Sequence, residues 1–182
     1  MLMKTSDETL VNLAQSGNGE AFRDLLQRHY DSIFRIAFRV LGSREDAEDL
    51  AQDICANLPR KLASFKGQAR FTTWLHQITI NAARDLIRRK QAARRKAAGW
   101  GDVEKMRRDE ARQTASEIDW LTNAMNAMPD DLRETVALVL GEEMTHADAG
   151  AVLNLSEGTI SWRMSEVKKI LREMAKAEEM LE

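Results

Sequence analysis

The chain has 182 residues, 43% of them hydrophobic and 31% charged, with two prolines and nine glycines, which is enough apolar material for a core and excludes disorder throughout. The abundance of Ala, Leu, Glu, Arg and Met favours helix, and no alternating, β-rich segment stands out. A single cysteine, Cys55, excludes an intramolecular disulfide and a cysteine metal cluster; the start MLMKTSDETL lacks the apolar stretch of a signal peptide, and no run reaches the ~20 apolar residues of a membrane span, so a soluble cytoplasmic protein is expected.

The net charge of −2 conceals a strong asymmetry. Residues 1–65 hold 8 Lys/Arg against 10 Asp/Glu, residues 66–112 hold 13 against 5, and residues 113–182 hold 6 against 14, giving −2, +8 and −8. A basic middle on a nearly neutral chain is the footprint of a segment that meets phosphate, or of a solvated basic linker.

In chain order, Asp7 to Ser16 reads as a short helix ended by Gly17-Asn18-Gly19, and Glu20 to Leu41 as a longer one carrying Phe22, Leu25, Leu26, Ile33, Phe34 and Ala37. Ser43, with Asp46 three residues on, caps a third helix whose apolar stripe is Ala47, Leu50, Ile54 and Leu58. Pro59 is expected to end or kink it, because proline removes a backbone donor and clashes with the previous turn. After the loop SFKGQAR, a long helix is expected from Phe71 to Ala97 with Phe71, Leu75, Ile78, Ala82 and Leu86 facing the core. Gln77, Asn81, Arg84 and Arg88 then share one flank, and Arg88, Arg89, Lys90, Arg94, Arg95 and Lys96 crowd the C-terminal end beyond what the helix dipole requires.

Residues 98–113 lose periodicity around Gly99-Trp100-Gly101 and form the expected linker between two small helical domains, 1–97 and 114–182. Four further helices are expected: one capped by Ser116 with Asp119 and running to Ala127, one opened by Pro129-Asp130-Asp131, a short one capped by Thr145 with Asp148, and a last one capped by Ser156. Asn154 suits a left-handed turn between the last two, which makes a helix-turn-helix, a geometry that any three-helix core can imitate. On the final helix Ile160, Met164, Val167, Leu171 and Met174 form the buried stripe, while Trp162 and Lys169 point directly away, flanked by Gly158, Ser165, Arg172 and Lys176. Arg163 and Glu166 sit on one margin, spaced to pair with each other. Trp162 suits either a sugar-phosphate or thymine-methyl contact or a protein-contact anchor.

Taken together, DAEDLAQDI at 46–54, FKGQARFTTWLHQITINAARDLIRRK at 65–90 and LSEGTISWRMSEVKKIL at 155–171 resemble a bacterial RNA polymerase sigma factor of the extracytoplasmic-function type. The resemblance implies an all-α chain: a sigma region 2 helical bundle that binds core RNA polymerase and opens the minus-10 element, and a sigma region 4 helix-turn-helix that reads the minus-35 element. By the same resemblance Asp46, Glu48, Asp49, Leu50, Gln52 and Asp53 dock on the polymerase clamp. Glu45, Glu48, Asp49 and Gln52 lie opposite the apolar stripe, as an acidic face for a basic partner requires.

The loop 65–70 corresponds to the family's minus-10 specificity loop, which receives a base turned out of the stack. Lys66, Gln68, Arg70, Gln77 and Asn81 are then the polar groups for the strand, Gly67 allows close backbone approach, and Arg84, Arg88, Arg89 and Lys90 hold phosphates. Trp74 either stacks on a base or, as its neighbours Phe71 and Leu75 favour, joins the core. The minus-35 candidates are Ser156, Gly158, Thr159, Ser161, Trp162, Arg163, Ser165 and Lys169.

The chain departs from the family at Ser161 and Glu166, where basic residues are usual, at Trp162, at Ala149 and at Pro59. A region 4 at −8 also suits a basic protein partner, and an anti-sigma factor is expected. No cofactor, metal or catalytic group is expected: His29, His76 and His146 are scattered, and no nucleophile-base pair is evident. The alternative is a sigma-like decoy that binds an anti-sigma factor without promoter recognition; a simple repressor or activator would leave the acidic helix unexplained. The linker permits domains either packed or splayed.

Overall fold

The computed structural model describes residues 5–97 and 124–179; the expected linker and the expected cap at Ser116 and Asp119 lie outside these. Among the described residues every regular element is a helix: α1 (Asp7–Gln15), α2 (Gly19–Leu41), α3 (Arg44–Leu62), α4 (Phe71–Ala97), α5 (Asp130–Val139), α6 (His146–Leu153) and α7 (Glu157–Glu179), with a helical turn at 124–127 before α5.

Ser43 and Thr145 cap α3 and α6 as expected, each accepting a hydrogen bond from a first-turn backbone N–H, that of Asp46 and that of Asp148. Two further caps carry no expectation from the sequence: Ser6 accepts from the Thr9 N–H, and Asn18, expected only in the break between α1 and α2, accepts from Glu20 and Ala21. Ser156 accepts from the Thr159 N–H at the start of α7. Asn154 adopts φ 57°, ψ 47° after α6, the left-handed turn that sets the helix-turn-helix angle.

Two expectations need correction. Of the two outcomes expected at Pro59, the helix does not end there: α3 runs one further turn to Leu62. Leu58 and Leu62 are both buried in the core, and burial of their side chains offsets the one backbone bond that proline removes. The buried face of α4 is also rotated from the expected stripe: Leu75, His76, Thr79, Ile80 and Ala83 are buried, whereas Ile78 and Ala82 are only partly so. The reason is that α4 packs against α2, α3 and α6, so a single-stripe pattern underestimates what it buries.

The last three helices dock on the first four. α5 packs on α2, α6 on α4, and Ala137, Leu138, Ala149, Val152, Leu153 and Ile160 join the same apolar cluster as Ile33, Ile36, Val40 and Leu75. A second cluster, Met125, Met128, Leu132, Val136 and Val167, holds α7 to α5. Gly42 closes α2 at φ 69°, with the Asn126 side chain so close that an added Cβ would lie 2.0 Å from its Oδ1. Arg133 from α5 donates to the Val40 carbonyl oxygen at 2.9 Å, satisfying a carbonyl in the last turn of α2.

Candidate nucleic-acid interface

The loop before α4 is held from beneath and open above. Gln15 of α1 donates through Nε2 to the carbonyl oxygens of Leu62 and Phe65, at 2.9 and 2.8 Å, pinning the chain where it leaves α3. Phe65 packs on Phe71 and on Trp74, with ring centroids 6.1 and 4.8 Å apart, so Trp74 is half-buried in an aromatic cluster that supports the loop. Lys66, Gln68 and Arg70 are exposed, and Gly67 takes φ 68° with open space where a side chain would project. Gln15 carries no sequence signal for this role, because its two acceptors lie about fifty residues away.

Along α4, Gln77 is half-buried and Asn81 exposed, one turn apart on the flank that continues to Arg84 and Arg88. The cations of this flank are already engaged. Arg84 donates to Glu134 of α5 through Nε and Nη2, both at 2.6 Å, and through Nη1 to Asn81 Oδ1 at 3.4 Å. The hydrogen bonds that Arg84 donates to Glu134 raise its pKa further, so the group is charged at any accessible pH. Arg88 pairs with Asp85, Arg89 donates to the Asp85 carbonyl oxygen, and Lys90 reaches Asp46 on α3.

A second carboxylate from the C-terminal part enters between α2 and α4. Glu142, its side chain 8% exposed, accepts from Arg35 Nε and Nη2, both at 2.9 Å, from Arg39 Nη1 at 3.2 Å and from Ser32 Oγ at 2.8 Å. Burial alone would raise its pKa, but the bonds from Arg35 and Ser32 outweigh it and hold the carboxyl below the usual glutamate range. Ser32 Oγ also lies 2.9 Å from His76 Nε2. A carboxylate only accepts, so the single Ser32 hydroxyl proton goes to Glu142 and Ser32 must accept from an Nε2–H of His76. His76 is therefore the Nε2–H tautomer, with a bare Nδ1 that has no partner among the described residues. Burial, the largest influence, holds its pKa below the ordinary histidine value.

The acidic helix is largely as expected. Asp49, Gln52 and Asp53 are exposed and Glu48 half-exposed on the outer face of α3, where Glu48 pairs with Arg44 at 2.8 Å. Leu50 is a correction: it is 6% exposed within the core, so its side chain is unavailable to a docking partner. Asp46 is also withdrawn from the free acidic face, since hydrogen bonds from Lys90 and Ser43 outweigh burial and hold its carboxyl below the usual range.

On α7 the outer face presents Ser161, Trp162, Ser165 and Lys169, all exposed, with Trp162 at 59%. Ser156 and Gly158 are exposed at its start and Thr159 is half-buried; the Ser156 hydroxyl is occupied as the helix cap and lies 2.9 Å from Thr159 Oγ1. Arg163 is the second correction. It neither pairs with Glu166 nor faces outward: its side chain, 14% exposed, turns to α5, 3.2 Å from Asp131 Oδ2 and donating to the Asp131 carbonyl oxygen at 3.1 Å. His146, in the first turn of α6, lies 2.8 Å through Nδ1 from Ser161 Oγ and so couples the two helices of the motif. Nothing in the local sequence marks this pairing, because its partner is a hydroxyl on another helix, fifteen residues away.

These features define a class: two helical domains, one with an exposed basic helix and loop, the other a helix-turn-helix with an open recognition face. The comparisons narrow the class. Residues 25–93 match the family profile "Sigma-70 region 2" and residues 124–173 match "Sigma-70, region 4". Among curated relatives, the ECF RNA polymerase sigma factor SigM of Mycobacterium tuberculosis is 30% identical over 163 residues, covering 90% of this chain and 81% of that protein. SigW of Bacillus subtilis is 24% identical over 173 residues, 89% of this chain and 92% of SigW, and the sigma-E factor of Escherichia coli is 24% identical over 184 residues, 94% and 95%. The structure of CnrH in complex with the cytosolic domain of CnrY matches with a TM-score of 0.73 at 26% identity, covering 94% of this chain and 97% of that one. The sigma factor RpoE, solved with the anti-sigma factor NepR from Bartonella quintana, shares the fold at a TM-score of 0.63 and 21% identity, covering 85% of this chain and 96% of that one. The chain belongs to the ECF sigma factor family.

Proposed function

We propose that the chain binds core RNA polymerase in the cytoplasm, directs it to a specific set of promoters and helps to hold the minus-10 region open, acting by binding alone. In this reading the first domain, 1–97, carries polymerase docking and minus-10 recognition, 98–113 is the linker, and 114–182 reads the minus-35 element. The observation that carries it is the exposed Lys66-Gln68-Arg70 loop leading onto the Asn81-Arg84-Arg88 flank of α4. A turned-out base needs polar groups beside it, and its strand needs cations at about one phosphate spacing along a rigid element.

Asp49, Gln52 and Asp53, with Glu48, form the polymerase-facing side of α3, and the charge complementarity suits a basic clamp surface. Ser161, Trp162, Ser165 and Lys169 face the minus-35 groove. An anti-sigma factor is the expected regulator, since both CnrH and the RpoE protein were solved in complexes, the second with a named anti-sigma factor.

The test is transcription by core enzyme plus the purified chain on sheared chromosomal DNA of its host, with the 5′ ends mapped. Starts preceded by a shared pair of upstream elements are expected. Polymerase binding absent, with no chain-dependent starts, refutes the proposal; anti-sigma binding without starts identifies the decoy alternative instead.

A further inference from the structure

We propose that Glu134 is an internal stand-in for a strand phosphate: it occupies the Arg84 guanidinium in the free protein, so that one face of α4 binds either the body of region 4 or the melted DNA strand, never both through Arg84. The inference rests on the reading of Arg84 as a strand contact and adds what that contact does before DNA arrives.

The geometry supports exchange. A guanidinium presents its Nε and Nη2 protons as a planar fork that fits two oxygens of a carboxylate or of a phosphate equally well. Glu134 fills both positions of the fork at 2.6 Å. Its side chain is 4% exposed, and among the described residues its hydrogen bonds go to Arg84 alone. A carboxylate so placed in the body of the C-terminal domain has no use for its charge except this partner. Arg84 by contrast remains 38% exposed on the flank shared with Asn81, so an incoming phosphate can approach the side that Glu134 leaves open.

The energetics also favour a reversible contact. Both charges lose water on docking, and the desolvation cancels much of their attraction, leaving a pair near balance that a polyanion can displace. Glu142 makes the same kind of contact with α2, through Arg35, Arg39 and Ser32. Both carboxylates come from the region 4 segment and every partner comes from the region 2 segment, so the two clasps act on the same docking. Freed together, they expose Arg84 at the centre of the basic flank.

The experiment compares the full-length chain with its Glu134→Gln variant, by small-angle scattering and by fluorescence anisotropy with a labelled single-stranded DNA of mixed sequence over a salt series. The proposal expects affinity to rise about threefold to tenfold and the salt slope to steepen by about 0.7, the increment for one added phosphate contact on a single strand. Arg84→Ala in the Glu134→Gln background should abolish both changes. Unchanged affinity and slope, or a gain that survives Arg84→Ala, overturns it. Where circular dichroism shows Glu134→Gln unfolded, Glu142→Gln takes its place: opening seen by scattering without tighter DNA binding overturns the proposal equally. The underlying reading is judged separately by Arg84→Ala in the assembled holoenzyme. If that variant opens promoters normally the reading of Arg84 fails, and if it is defective while Glu134→Gln changes nothing, only the stand-in role fails.

Discussion

Glu142 and Arg35 are joined by two hydrogen bonds of 2.9 Å across 107 residues of sequence, and this fork, with Arg39 and Ser32 on the same carboxylate, fastens the helix-turn-helix domain to α2. The pairing explains how a domain of net charge −8 sits against a helix bundle that supplies cations to its inner face. It also places the acid side chain under the helix that carries the candidate DNA contacts.

Replacing Glu142 by Ala is expected to destabilise the docked arrangement by about 1–3 kcal/mol, because Ser32 and the guanidiniums lose a buried acceptor while Arg35 and Arg39 recover some hydration. Thermal unfolding should show a lower midpoint or a split into two transitions. An unchanged single transition would contradict the assigned role.

Acid should loosen the protein in two stages. Burial holds His29 and His76 below the ordinary histidine value of 6.5, so between that value and their folded values the unfolded chain binds more protons than the folded one and stability falls as pH drops. Glu142 and Asp46 are held below their ordinary 4.5 and 3.8, so their contributions are complete above those values and are lost as pH falls through the lower folded ones. A pH series of unfolding midpoints, flat near neutrality and declining from about pH 6.5 downward, is the expected record. A profile flat down to about pH 4 would count against the histidine assignment, and one that stays flat through still lower pH would count against the carboxylates as well.

On α3, two neighbouring positions should separate stability from binding. Leu50→Ala removes a core side chain and is expected to cost about 2–5 kcal/mol. Asp49→Lys, on the exposed face, should leave the unfolding midpoint almost unchanged, within about 0.5 kcal/mol, while weakening association with core polymerase. Pull-down and calorimetric melts read the two effects independently, and a stable Leu50→Ala protein would place that residue outside the core.

The recognition helix offers a matching pair. Trp162→Ala should keep the fold and alter minus-35 preference or affinity, whereas Arg163→Ala should lower stability by about 1–2 kcal/mol through loss of its bonds to α5. Footprinting of the upstream element together with thermal melts distinguishes them. Equal behaviour of the two variants would contradict the different orientations.

What the sequence made legible was local. Ser43, Thr145 and Ser156 announce their helix starts, and Asn154 its turn, because a cap or a left-handed residue is decided within four positions. What it left open was decided at long range. Whether the domains pack or splay depends on Arg84 meeting Glu134 and Arg35 meeting Glu142, pairs that no spacing rule anticipates. Arg163 had Glu166 one turn away, yet α5 offered it the Asp131 carbonyl oxygen and carboxylate together, acceptors about thirty residues distant in sequence. Leu50 belonged both to the apolar stripe and to the docking motif, and burial took it. The face of α4 turned because α2, α3 and α6 all pack on it where one stripe was read.

Permanganate reactivity of unpaired thymines in promoter complexes tests the central claim most directly, since it reports the separated strand itself. With holoenzyme assembled from the Arg84→Ala and Arg88→Ala double variant, minus-10 reactivity should fall by at least about tenfold, the equivalent of 1.4 kcal/mol in strand holding, while core polymerase binding stays as in the unaltered chain. Full reactivity from the double variant would contradict the assignment of this helix to the opened DNA.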